Sequence, residues 1–188
     1  MTRISFHSFL LLALAFAVTG CDQNAFEEDY PNPDDGLGPY VAFDAIAIQN
    51  NFGGTFDPAN AANGVTVNVN QNQARTVNLS VRLPAALGED VTVTYQVRGD
   101  AVRGTDYTIA GTTGDQGQLV LEYDINDTES FRDNIVVSTA PAAVGDAPQS
   151  VTITLTGATT ASGQQLTIGR LPDGRDRSVT LRLVPPTA

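Results

Sequence analysis

The chain has 188 residues, with ten arginines and no lysine against 21 acids, a formal charge of −11, one histidine, one cysteine, one methionine and no tryptophan. Such a negative field makes nucleic acid and anionic membrane surfaces poor partners. With lysine absent and the single His7 and Cys21 both within the first 21 residues, no Ser-His-Asp triad, Cys-His nucleophile, lysine Schiff base or His or Cys zinc or copper site is expected from the part that follows, which leaves carboxylates, hydroxyls and arginines.

Met1 to Ser8 carries Arg3 and no acid, and Phe9 to Val18 is a nearly unbroken apolar run of the length of a signal-peptide hydrophobic region, too short to span a bilayer comfortably. Val18-Thr19-Gly20-Cys21 resembles the bacterial lipobox, in which small residues precede an invariant cysteine that is acylated before a lipoprotein signal peptidase cuts. The resemblance implies a signal peptide over residues 1–20, lipidation of Cys21, and a lipid anchor in the bacterial cell envelope, with the outer membrane favoured. An ordinary secretory signal with an incidental cysteine, or a buried core helix, is the alternative. A lone exported thiol accords with lipidation. Each buried methylene contributes about 0.8 kcal/mol, so a diacylglyceryl cysteine with a further acyl chain is a stable anchor. His7 and Met1 leave with such a segment, and 168 residues with nine arginines and 21 acids remain.

From Cys21 to Pro39 the composition predicts an acidic, flexible tether. Glu27-Glu28-Asp29 and Pro31-Asn32-Pro33-Asp34-Asp35-Gly36-Leu37-Gly38 hold too few apolar residues to order themselves and too many breakers for a strand ladder. An acidic cluster after the lipidated cysteine also resembles the export signal of surface-exposed lipoproteins, whereas an Asp directly after it resembles an inner-membrane retention signal. A plain solvated spacer is the other reading.

From Tyr40 the period is two. Tyr40 to Ile48 reads as a first strand, Val65, Val67 and Val69 mark a second, and Asn70 to Gln73 a turn. Val77, Leu79, Val81 and Leu83 form a third, followed by a break at Pro84 to Gly88 and the strand Val91 to Val97. Later strands are predicted at Gln118 to Tyr123, Ile135 to Ser138, Val151 to Thr156, Gln165 to Ile168 and Ser178 to Leu183, and no stretch predicts an amphipathic helix of useful length. Short Val- and Thr-rich strands with Gly, Asn and Pro between them predict an all-β antiparallel sandwich of about seven to nine strands over residues 40–188. Gln49 to Gly64 is the longest predicted loop, and Phe52 and Phe56 within it are read either as exposed binding aromatics or as packing across an open end, the latter favoured.

Val91 to Ile109, with Thr92-Val93-Thr94-Tyr95 leading into Gly99-Asp100-Ala101-Val102-Arg103-Gly104-Thr105-Asp106-Tyr107-Thr108, resembles the signature of the Calx-beta domain, and Ser150 to Ala158 resembles that family's late strand. The resemblance covers about residues 75–184 and implies an immunoglobulin-like sandwich. Many members hold calcium through carboxylates clustered at one end, and Asp106 stands at one such ligand position, with Asp100 and Asp146 as the other acids in range. Where the family commonly shows an aspartate run and then Glu-Gly-Asp-Glu, this chain has Val144-Gly145-Asp146-Ala147-Pro148-Gln149. Calcium takes six to eight oxygens. The favoured reading of Asp106 is therefore a turn carboxylate beside a buried Tyr107, with no cofactor expected.

Three functions are compatible with this inventory. The first is a non-enzymatic, lipid-anchored envelope module that binds or braces another macromolecule, protein or glycan. The second is an accessory carbohydrate-binding lipoprotein of a polysaccharide-uptake system. The third and weakest is a carboxylate-based glycoside hydrolase using pairs such as Glu122 with Asp124 or Asp127 with Glu129, which a solvated strand face explains more simply.

Overall fold

The computed structural model describes residues 39–52, 64–83, 87–124, 126, 131–170, 174 and 176–187, and the backbone of 55–56. The expected signal peptide, Cys21 and the tether up to Gly38 lie outside the described residues. The first strand, β1, covers only Tyr40–Phe43, and the chain then forms the short helix α1 at Ala45–Phe52 where the longer strand was predicted. Asp44 is the reason. Its Oδ1 accepts the Ala47 N–H at 3.0 Å and its carbonyl accepts the Ile48 N–H at 3.0 Å, which satisfies donors at the first turn. Ala45, Ile48 and Phe52 then fall on one helical face against the core. The four-residue alternation Ala45-Ile46-Ala47-Ile48 is too short to separate a period of two from one of 3.6.

The remaining elements are strands: β2 Thr55–Phe56, β3 Val65–Asn70, β4 Arg75–Arg82, β5 Val91–Gly99, β6 Tyr107–Ile109, β7 Gln116–Leu121, β8 Arg132–Thr139, β9 Gln149–Thr160, β10 Thr167–Ile168 and β11 Ser178–Val184. They form a five-stranded sheet in the order β10-β1-β4-β8-β6 and a six-stranded sheet in the order β2-β3-β11-β9-β5-β7. The strand-and-turn pattern predicted the sandwich. The count differs because β2 and β6 have only two and three residues, below what alternation detects, whereas β10 keeps the Thr167–Ile168 end of the strand predicted at Gln165 to Ile168.

Most pairs are antiparallel, but β1 with β10 and β3 with β11 run parallel. Neither pair is joined by a hairpin, so no tight turn sets its direction. In the second pair Val65, Val67 and Val69 lie beside Val179, Leu181 and Leu183, all buried, so the late strand completes the core begun by an early one.

In β5 the inward residues are Val91, Val93, Tyr95 and Val97, all buried. Burying each contributes about 1.5–3 kcal/mol relative to exposure. In β9 the inward series Val151, Ile153, Leu155 resumes at Ala158, because a bulge opposite Thr94 and Tyr95 leaves Thr156 without a register partner in the backbone ladder to β5. That extra residue keeps the far half of β9 in phase with the core, carrying the strand to Thr160 where the predicted one stopped at Thr156.

Candidate functional site

The turn after β5 is built around backbone groups. Gly99 leaves the strand with φ 149°, and a side chain there would meet the Ser150 carbonyl oxygen at 2.0 Å. Asp100 accepts hydrogen bonds from the Ser150 hydroxyl and N–H, and these, the hydroxyl first, hold its carboxyl below the ordinary range. Asp106 Oδ2 accepts the Val102 N–H at 2.6 Å, and the Asp106 N–H donates to the Val102 carbonyl at 2.8 Å. Tyr107 beside it is buried, with the Arg103 guanidinium carbon 5.5 Å from its ring centroid. Arg103 Nη1 also donates to the Thr112 carbonyl at 3.0 Å.

Each acid tied to calcium by resemblance therefore serves its own neighbourhood. Asp146 Oδ2 accepts the Ala143 N–H at 2.9 Å, closing a separate turn. Among the described residues no group of three His, Cys, Asp or Glu gathers at one point.

Phe52 ends α1 half-buried against the core, lining with Asn51, Val67, Asn68, Val69, Arg75, Thr76 and Val77 a cleft of about 260 Å³. Phe56 lies in β2 opposite Val65, and its side chain is outside the described residues, as is Cys21. Glu122 and Asp124 do not share a strand face, because β7 ends at Leu121; Asp124 Oδ1 instead accepts the Asn126 N–H at 2.9 Å. Asp127 and Glu129 lie outside the described residues.

A polar surface on the six-stranded sheet was not singled out by the sequence. Register sets Thr66 beside Thr180, Thr180 beside Thr152, Ser178 beside Thr154, and Thr94 beside Gln118 on the outer face of the six-stranded sheet. Their hydroxyls link across strands: Thr152 to Thr180 at 2.9 Å, Thr154 to Ser178 at 3.1 Å and Thr94 to Thr156 at 3.1 Å. Toward β7 this face carries a depression of about 410 Å³ bordered by Thr94, Gln96, Gln116, Gln118 and Thr156. Hydroxyl and amide side chains donate and accept hydrogen bonds without exchanging protons near neutral pH. The polar half of each alternation was the available signal, but nothing local says which polar halves become neighbours.

No family model matches the chain, and no curated protein is significantly similar to it in sequence. Among solved structures it is similar to the apo-form Calx CBD1 domain, at 14% identity and TM-score 0.46, over 79% of this chain and 97% of that one. It is also similar to the Calx CBD2 domain, at 12% identity and TM-score 0.49, over 77% of this chain and 85% of that one. The N-terminal domain of PorA follows at 10% identity and TM-score 0.33, over 63% of this chain and 84% of that one. Likenesses this distant carry no statement about activity or ligand.

Proposed function

We propose that this chain is a non-enzymatic binding module of the bacterial cell envelope, anchored through an acylated Cys21, that holds another macromolecule through its six-stranded sheet. The observation that supports it is the face of hydroxyls and amides on that sheet, bounded at one end by the exposed Arg98 beside Thr152 and Arg182 beside Ser150, together with a composition without lysine and with its single histidine at His7. The outer membrane is the favoured location and surface exposure follows the acidic tether; both rest on sequence alone.

The carbohydrate-binding reading has one specific observation in its favour, the depression bordered by hydroxyl and amide side chains. The aromatic complement weighs against it. Tyr40, Tyr95 and Tyr107 are buried and offer no open ring face for a sugar to stack on, and the half-buried Tyr123 has its ring 5.6 Å from that of Phe131.

Crosslinking on intact cells with a photoreactive residue at position 180 or 154 tests the binding role. A discrete adduct with one envelope protein is the expected result, and a ladder of unrelated products would refute it. A glycan array separates the readings, since a reproducible hit lost in Gln118→Ala would replace the protein partner with a sugar.

A further inference from the structure

Four strands end the two sheets, and three of them, β2, β6 and β10, are only two or three residues long. Short edges resist pairing with other chains. The fourth, β7, has six residues, Gln116-Gly117-Gln118-Leu119-Val120-Leu121, without a charge, a proline or a break in its register with β5. Among the described residues it carries none of the usual protections of a sheet edge.

The direction of its backbone groups follows from the ladder. The Val97 N–H donates to the Asp115 carbonyl at 2.8 Å, and Gly117 pairs with Tyr95. Positions 115, 117, 119 and 121 therefore face β5, and the N–H and C=O groups of Gln116, Gln118 and Val120 point the other way. All three residues are exposed, Val120 at 42%. Each offers one donor and one acceptor to an incoming strand.

Charge selects the occupant. Glu122 and Asp124 follow β7 directly and are exposed. Asp90 joins the same end, where its Oδ1 accepts the Tyr123 N–H at 2.8 Å, and Glu89 precedes it. Asp115 stands at the other end. A second copy of this chain is disfavoured, because antiparallel self-pairing centred on Gln118 would set each Asp115 within one residue of the other copy's Glu122, placing like charges together at both ends.

We propose that β7 takes up an extended segment of a different protein as an added strand, and that this segment carries arginine or lysine where it passes Glu122 and Asp124. The proposal deepens the binding role above by naming the partner as polypeptide and the contact as a backbone ladder. Hydrogen bonds along the edge hold the segment irrespective of its side chains, and the acidic end sets which segments enter and in which orientation.

The test uses the full chain and a labelled synthetic peptide of alternating valine and threonine with two arginines at each end. Saturable binding is expected, with hydrogen exchange at the Gln116, Gln118 and Val120 amides slowed by about tenfold or more. A peptide flanked by glutamates is expected to bind at least about tenfold more weakly. Gln118→Pro removes an outward donor that β5 does not use, so it is expected to keep the melting temperature and to weaken the arginine peptide by about tenfold. Unslowed exchange at the three amides, or equal binding by a peptide with prolines at its centre, would overturn the proposal. So would protection that rises with protein concentration in the absence of peptide, which would mean a second copy. The exchange result on the unaltered chain decides the matter if the proline variant fails to fold. A cellular crosslink through position 180 with β7 unprotected would sink the edge contact alone, whereas absence of any discrete partner would sink the binding role.

Discussion

The ring of Tyr95 occupies the place where a side chain on Gly117 would stand: a Cβ built there falls 2.3 Å from Tyr95 Cζ. The two are direct cross-strand partners in β5 and β7, and the ring passes over the glycine to share a 2.6 Å hydrogen bond with Thr112 Oγ1. One contact thus joins the strand, its edge neighbour and the turn after β6.

Tyr95→Ala is expected to destabilise the domain by about 3–4 kcal/mol and Gly117→Ala by about 1–3 kcal/mol through overpacking. In the Tyr95→Ala background the Gly117→Ala change should cost almost nothing, which a double-mutant denaturation cycle measures. Val93→Ala should cost about 2 kcal/mol and Thr92→Ala less than about 1 kcal/mol, since these two face opposite sides of β5.

Asp44 is a cap and a charge partner at once. Arg82 and Arg132 are opposite each other in β4 and β8, and one nitrogen of each lies 3.5 Å from Asp44 Oδ2. Asp44→Ala should cost about 2–3 kcal/mol, the helix cap included. Asp44→Asn, which keeps a capping oxygen, should recover about half of that in thermal melts.

Acid should weaken the loops at both ends of the sandwich. Glu89 accepts bonds from the Ser162 hydroxyl and N–H and, like Asp100, has its pKa lowered, the hydroxyl being the larger cause. A folded-state pKa below the unfolded one contributes stability that is present above the unfolded value and lost as pH falls through the folded one, so loosening should begin below about pH 4. Carboxyl titration by NMR should show Asp100 moving up in Ser150→Ala and Glu89 moving up in Ser162→Ala. Unmoved midpoints would contradict these hydrogen bonds as the cause.

Calcium at 2 mM is expected to raise the melting temperature no more than matched magnesium, because the Asp106 carboxylate already accepts the Val102 N–H. A native-state site filled to 100 times its dissociation constant would add about 2.7 kcal/mol, which calorimetry resolves. A calcium-specific rise abolished by Asp106→Asn would reverse this reading.

Cys21→Ser is expected to remove the protein from the membrane fraction and leave an uncut precursor. Persistence of the mutant with membranes would rule out the lipid anchor.

Alternation of side chains is a local property of an extended backbone, so valines and threonines at period two were enough to predict a sandwich and to locate its longer strands. The turn role of Asp106 was legible for the same reason, since its partner Val102 is four residues away. Partners distant in the chain were not legible. Asp44 reads as an ordinary polar residue until the β4–β8 register sets Arg82 against Arg132 beside it, and the strand expected through Ile48 becomes a helix once that carboxylate caps it. The bulge at Thr156, the hydroxyl-bearing face and the bare edge of β7 likewise depend on which strands lie side by side. Pairing between distant strands is set by how all the inward faces fill one core together, and no single stretch of sequence carries that information.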